Sequence, residues 1–366
     1  MKNLILFSLT LLLGACSTTA QETGNKAQVK NIIFLIGDGM GLSAVSTGFY
    51  YGDQPSQFQR FKAIGMQQTS SATHKVTDSA ASGTALATGS KTYNGAIGVD
   101  TAGSAVTNIT EVLSPLGWST GVVATSTISH ATPASFYAHV FVRSMEEMIA
   151  QQLLESEIDF FAGGGLARFV GRSDSLDLFP LAAEAGFLLD TVALASPGSL
   201  DGEKKYGFLL AQGGMPTMLE GRGDFLPEAT NLAISHLSQN PEGFFLMVES
   251  SQIDWAGHAN DRDYLIAEML DFEKVIKAAL DFAEKDGQTL VVVSADHETG
   301  GFTLSAGENA NTGASDYKEI GPTFATGGHS ATLIPVFAYG PGAEAFMGIY
   351  QNTAVFEKMK ALATGE

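Results

Sequence analysis

One cysteine among 366 residues rules out an intramolecular disulfide, so no disulfide scaffold holds this fold. Basic side chains are also scarce. Twenty lysines and arginines face 39 aspartates and glutamates, a net charge of −19, and a field of that sign repels nucleic acid and anionic lipid at long range. Recognition of a polyanion through a basic patch is therefore excluded as a first reading. Charged residues make up only 16% of the chain, whereas 45% are hydrophobic. Such a composition is neither disordered nor collagen-like and is sufficient to bury a large core. No internal repeat and no domain linker interrupt it.

The single cysteine, Cys16, stands at an informative place. Lys2 precedes an apolar run from Leu4 to Leu13, which ends in Leu13-Gly14-Ala15-Cys16. That run is too short for a transmembrane helix and has the form of an export segment closed by small residues. Leu-Gly-Ala-Cys resembles the lipobox of bacterial lipoproteins, in which cleavage before the cysteine leaves it N-terminal and lipidated. Residues 17–29 are small, polar and aperiodic, as in a flexible tether. The chain thus divides into a lipoprotein signal peptide (1–15), a tether (16–29) and one folded domain (30–366). The expected location is outside the cytoplasm, lipid-anchored, with Ser17 resembling an outer-membrane sorting signal.

Within the domain, Asn31–Ile36, Thr120–Ala124, Ile158–Ala162, Phe244–Glu249, Thr289–Ser294 and Pro335–Tyr339 are short apolar runs, as strands buried on both faces should be. Helical patterns lie between them at Ala80–Ala87, Val106–Leu116, Ser144–Leu154, Leu226–Leu237 and Asp261–Glu284. This alternation predicts an α/β fold, a three-layer αβα sandwich around a mostly parallel sheet. Ala306–Gly328 has no pattern and reads as a loop or insertion. Gly163-Gly164-Gly165 lacks the Lys-Ser/Thr of a phosphate-binding loop and reads as a turn, and Met145 and Met148 read as core. His74, His139 and His236 read as surface or packing residues. Asn108-Ile109-Thr110 fits a glycosylation triplet, which has no meaning in a bacterial lipoprotein.

Chemistry gathers where the predicted strands end. Asp38 follows the first strand, Glu249 closes FFLMVE, and Asp296-His297 follows LVVVSA. The carboxyl ends of strands are where open α/β sheets bind ligands. A lone aspartate after a strand is usually a turn or cap residue; three acidic positions joined by Asp254, His258 and His329 form a ligand set. Asp254 and His258 have the i, i+4 spacing that lets two side chains grip one ion, and Gly257 together with the upstream Glu249 favours a loop that carries them. Four carboxylates and three imidazoles exceed one tetrahedral site. Mixed Asp and His ligation favours zinc, and an all-oxygen site favours magnesium. In Thr77-Asp78-Ser79-Ala80, Ser79 opens a small-residue helix, where free N–H groups and the dipole stabilise anionic oxygen. An ordinary N-cap serine is its plain reading, but nearby ligands could bind its alkoxide and make it a nucleophile.

IGDGMG (36–41), VTDSAASGTALATG (76–89), HATPASFYAHVFVR (130–143), VESSQIDWAGH (248–258), SADHETGG (294–301) and GGHSA (327–331) resemble, in the same order, the successive motifs of bacterial alkaline phosphatases. The resemblance spans residues 30–342. It implies a phosphate monoester hydrolase, active at alkaline pH on diverse organic phosphates, with two Zn²⁺ and one Mg²⁺ per subunit. Ser79 is then the nucleophile that becomes phosphorylated. Asp254, His258 and His329 are the first zinc site, and Asp38, Asp296 and His297 the second. Asp38 also reaches the magnesium site with Thr132 and Glu249. Arg143 clamps two phosphate oxygens, for which a planar fork of donors is suited, and Asp78 orients it. Two metals about 4 Å apart can hold the entering and leaving oxygens of an in-line displacement.

His130 and Trp255 depart from the best-known enteric enzyme, which has aspartate and lysine there. Both flank the ligands, so a changed magnesium affinity, pH optimum and turnover are expected rather than a different reaction. Whether His130 itself ligates the third ion is left open by the residues. Relatives are usually homodimers, and a homodimer is expected. The chain is short for the family and is expected to lack a large crown insertion. Alternatives were weighed. Gly37-x-Gly39-x-Gly41 fails the dinucleotide fingerprint at Leu42. Ser79-Ala80-Ala81-Ser82-Gly83 lacks the Pro and Arg of a sulfatase signature. A phosphodiesterase or nucleotide pyrophosphatase of the same superfamily is the enzymatic alternative, and a non-catalytic phosphate-binding lipoprotein the other.

Overall fold

The computed structural model describes residues 29–365. Its first half runs β1 (Asn31–Gly37), α1 (Leu42–Tyr50), β2 (Ala63–Gln68), α2 (Ser79–Thr88), α3 (Ile109–Leu113), β3 (Ser119–Thr127), α4 (Ala131–Ala134) and α5 (Glu146–Glu155). Then follow β4 (Phe160–Gly164), α6 (Phe179–Glu184), β5 (Phe187–Asp190), β6 (Lys205–Leu209), α7 (Phe225–Leu237), β7 (Phe244–Ser250), α8 (Gln252–Ala259) and α9 (Arg262–Asp286). The remainder is β8 (Thr289–Ser294), β9 (Glu298–Thr299), β10 (Thr303–Glu308), β11 (Ser315–Thr323), β12 (His329–Ser330), β13 (Ile334–Tyr339), β14 (Gly348–Gln351) and α10 (Thr353–Thr364). The signal, Cys16 and nearly all of the tether lie outside the described residues.

Ten strands form one sheet in the order β14-β2-β13-β8-β1-β7-β3-β4-β6-β5. All its pairings are parallel except the two made by β13. Each central strand sends alternate residues to opposite faces. Ile32, Phe34 and Ile36 join one core with residues of α2 to α6 and α10, while Ile33 and Leu35 join the other with residues of α1, α7, α8 and α9. A sheet covered on both faces explains why β1, β7 and β8 are buried at every position. The three-layer expectation holds, and all six anticipated strands are present.

Several expectations are corrected. Ala306–Gly328 contains most of an antiparallel hairpin, β10 with β11. Its strands are mostly half-buried or exposed, so no apolar alternation marks them. Gly163 and Gly164 belong to β4, whose end passes close to Gly213; a Cβ on Gly164 would lie 2.0 Å from the Gly213 carbonyl. Met148 is exposed rather than core. Asn108 is buried as the N-cap of α3, in a reciprocal capping box with Glu111. His236, buried, and His139, paired with Glu111 at 3.1 Å, are packing residues as expected.

Candidate active site and metal centre

Strand register brings the acids together. Ile36 of β1 pairs with Glu249 of β7 and Ser294 of β8, so Asp38, Glu249 and Asp296 emerge at one edge. Asp38, Glu249 and Asp296 are fully buried, and Asp254 is buried at 5% exposure. The expected loop around Asp254 and His258 is instead helix α8, which puts both on one face. Gly257 is tolerated there because a Cβ would lie only 3.0 Å from the Thr299 side chain. His329 arrives from β12, paired with β9.

Three groups of candidate ligands result, each with its donor atoms within 4.8 Å of one another: Asp254, His258 and His329; Asp38, Asp296 and His297; and Asp38, His130 and Glu249. The first two groups adjoin, since the His297 and His329 rings stack with centroids 3.5 Å apart. The third brings in His130, which precedes α4. Thr132 lies two residues further, its Oγ1 buried without a hydrogen-bond partner. Trp255 packs edge-on against His130, centroids 6.2 Å apart.

The donor chemistry fits cations. His258 Nδ1 lies 2.8 Å from the Gly327 carbonyl and His329 Nδ1 2.9 Å from that of Thr77. Facing an acceptor, each Nδ1 must carry the proton, which leaves Nε2 a lone pair. Those two Nε2 atoms face each other at 3.1 Å. Two lone pairs at that separation repel unless a cation lies between them. Both oxygens of Asp38, Oε1 of Glu249, Oδ2 of Asp296 and Nδ1 of His130 are likewise buried without hydrogen bonds, a concentration of unpartnered donor atoms that suits metal ligands.

Titration follows the crowding. Burial pushes the Asp38 carboxyl well above its ordinary value, and the charges of Asp296, Asp254 and Glu249 add to it. Burial raises Glu249 to about 7, against the opposing Ser251 hydroxyl. Burial acts on Asp296 too, but is overcome by the His297 imidazole, which holds that carboxyl below the usual range. Burial, helped by Arg143, lowers His130 to about 4, so it is a neutral imidazole at pH 7.

Ser79 is the first residue of α2, capped by Asp78, whose Oδ1 accepts from the Ala81 N–H at 3.0 Å. Its hydroxyl lies 3.2 Å from His297 Nε2. Arg143 is held at three points: its N–H donates to the Gly95 carbonyl (2.7 Å), Nη1 to Asp78 Oδ2 (3.2 Å) and Nη2 to His130 Nε2 (3.1 Å). The structure therefore brings the nominated ligands, Ser79, Asp78, Arg143 and Trp255 around one edge, whereas Cys16 lies outside the described residues. Sequence reasoning missed the hydroxyls that hold the acids. Ser251 donates to Glu249 at 2.5 Å, and Thr299 lies between Asp254 and His297. Both sit inside or beside recognised motifs, but serine and threonine are too common for their type to be a signal.

Comparison with known proteins agrees with this geometry. The alkaline phosphatase family model matches residues 29–319. The alkaline phosphatase of the Antarctic bacterium TAB5 is 53% identical, with a TM-score of 0.91 over 92% of this chain and 98% of that one. A variant of that enzyme, with one histidine replaced by glutamate, has magnesium bound in its M3 site; it is 52% identical, with a TM-score of 0.91 over 92% and 99% of the two chains. Alkaline phosphatase 3 of Bacillus subtilis is 35% identical over 94% of this chain and 92% of its own. A shared sheet edge carrying a serine, an arginine and three groups of ligands, together with these matches, places the chain in the alkaline phosphatase family.

Proposed function

We propose that this chain is a metal-dependent phosphomonoesterase that works through a phosphoserine at Ser79, with two Zn²⁺ and one Mg²⁺ as its ions. The observation that carries the reading is the Ser79 hydroxyl at the N-terminus of α2, against His297 Nε2 and beside Arg143. Asp254, His258 and His329 would hold one zinc, and Asp38, Asp296 and His297 the other. Asp38 and Glu249, with Thr132 or His130, would hold the third ion. When bound, such ions polarise phosphoryl and leaving-group oxygens and lower the pKa of a hydroxyl or water.

The protein's own groups do the rest. Arg143 presents a planar fork to two non-bridging oxygens, preorganised by Asp78 and His130. N–H groups at the start of α2 face developing negative charge. Ser79 Oγ displaces the alcohol, and water then displaces Ser79 from phosphorus, so two inversions give retention.

Turnover of p-nitrophenyl phosphate tests the reading. Activity is expected to be lost on exhaustive chelation and restored by zinc with magnesium, and to exceed that on the bis-p-nitrophenyl diester. Activity that survives chelation, or a preference for the diester, would overturn it. Export, lipid attachment at Cys16, anchoring at the outer membrane and a homodimeric state belong to the same proposal. They rest on the segment Leu4–Cys16 and on the family resemblance.

A further inference from the structure

We infer that Thr299 is a positioning residue, a single buried hydroxyl that couples the two zinc clusters by holding Asp254 and the His297 ring in place. The inference rests on the two-cluster reading above. Thr299 Oγ1 donates to Asp254 Oδ1 at 2.5 Å and lies 3.2 Å from His297 Nδ1. An ionised carboxylate can only accept, so the hydroxyl proton is committed to Asp254. What Oγ1 has left is a lone pair, which accepts from Nδ1–H of His297. Nε2 of His297 is thereby turned toward Asp296 Oδ2 (3.1 Å), Asp38 Oδ1 (3.5 Å) and the Ser79 hydroxyl (3.2 Å), the side on which the second ion would be held.

A buried threonine in a strand commonly spends its hydroxyl on nearby backbone. Here both partners are side chains from different clusters. The backbone adds a third link, because Thr299 pairs with His329 across β9 and β12, and its N–H donates to the Gly39 carbonyl at 3.1 Å. Two glycines make room for it. Gly39, at φ +72°, would place a Cβ 2.8 Å from Thr299 Oγ1, and Gly257 would place one 3.0 Å from its Cβ and Cγ2. Thr299 is 1% exposed. Only glycine at these two positions leaves room for the Thr299 side chain.

Metal-free wild type, Thr299→Val and Thr299→Ser would be titrated with zinc against a chromophoric chelator. The hydrogen bond at His297 Nδ1 would be read from its ¹⁵N shift in the zinc-loaded proteins. Valine keeps the shape and removes the hydroxyl. It is expected to weaken zinc binding by about 10- to 100-fold, as loss of an outer hydrogen-bonding partner does, and to move the Nδ1 shift. Serine keeps the hydroxyl and is expected to retain both properties. Thr299→Ala serves as a second hydroxyl-free variant where valine disturbs the fold. Wild-type zinc affinity and an unchanged Nδ1 shift in a hydroxyl-free variant overturn the inference. Equal losses in valine and serine overturn it as well, since packing against Gly257 would then be the cause. Wild type that takes up no zinc overturns the proposed function itself.

Discussion

Replacing Arg143 separates the phosphate clamp from the metal ligands more cleanly than any other change. Two of its five guanidinium N–H groups are engaged, with Asp78 and His130, and the side chain is 29% exposed, so the remaining donors face the place a phosphoryl group must occupy. A charge-assisted hydrogen bond contributes about 1.5–3 kcal/mol. Two of them to non-bridging oxygens contribute about 3–6 kcal/mol, so Arg143→Ala should lower kcat/KM for p-nitrophenyl phosphate by about 10²- to 10⁴-fold. Arg143→Lys keeps one point contact and should lose about 10- to 10²-fold. A diester keeps two non-bridging oxygens instead of three, and with one of them directed to the ions wild type makes one fork contact fewer, so alanine should lose only about 10- to 10²-fold there. The assay is kcat/KM of the metal-loaded proteins on the mono- and bis-p-nitrophenyl esters. An equal loss on both, or a monoester loss below about tenfold, refutes a clamp that reads the dianion.

Ser79→Ala should yield no acid-stable phosphoprotein after quenching with labelled substrate, and turnover should fall by orders of magnitude; an unchanged rate would exclude Ser79 as nucleophile. Arg222, Glu268 and Asp271 form a buried triad with side chains 0% exposed, Glu268 accepting from both terminal nitrogens of Arg222 and from the Met218 N–H. Glu268→Gln turns an amide toward those donors and should cost about 3 kcal/mol in denaturant unfolding; a loss below about 1 kcal/mol would show that Asp271 suffices. The Glu111 hydrogen bond raises the His139 pKa despite burial. A raised histidine stabilises below its unfolded value and loses that contribution as pH rises through the folded one. The stability gap between wild type and His139→Asn should therefore narrow as pH rises above about 6.5, by at most about 1 kcal/mol for a half-buried pair, and a flat gap would refute the charge on His139.

What could be read from the sequence follows the physics of each element. β1, β3, β7 and β8 are mainly apolar because both faces are covered. β2 was invisible because AIGMQQ mixes polar residues into a strand near the sheet edge. There Gln67 is nonetheless buried, donating to Ser294 Oγ and the Ala295 carbonyl at 2.7 Å each. β5 and β6 are short and partly exposed, too brief for periodicity to register. At the site, metal ligation restricts residue types so strongly that Asp38, Asp254, His258, Asp296, His297 and His329 could be named in advance. Thr299 and Ser251 could not, since their importance lies in where one hydroxyl hydrogen points. The helix around Asp254 is not legible in the sequence because Gly257 counts against a helix by propensity, whereas contact with Thr299 is what demands a glycine there.

The acidic surface and an anionic substrate are compatible once local and global charge are separated. A net charge of −19 is spread over a surface where potentials decay within about 10 Å at 0.1 M salt. Asp38, Glu249, Asp254 and Asp296 are instead concentrated in a pocket from which water is largely removed. Without cations, burial first and mutual repulsion second oppose those charges, and Asp38 and Glu249 are raised accordingly. Under the proposed loading they face six positive charges, and Arg143 brings the local balance to about +3 before phosphate enters. The acids that make the chain repel polyanions at a distance are, at this one sheet edge, the means of gathering the positive charge that a phosphate dianion requires.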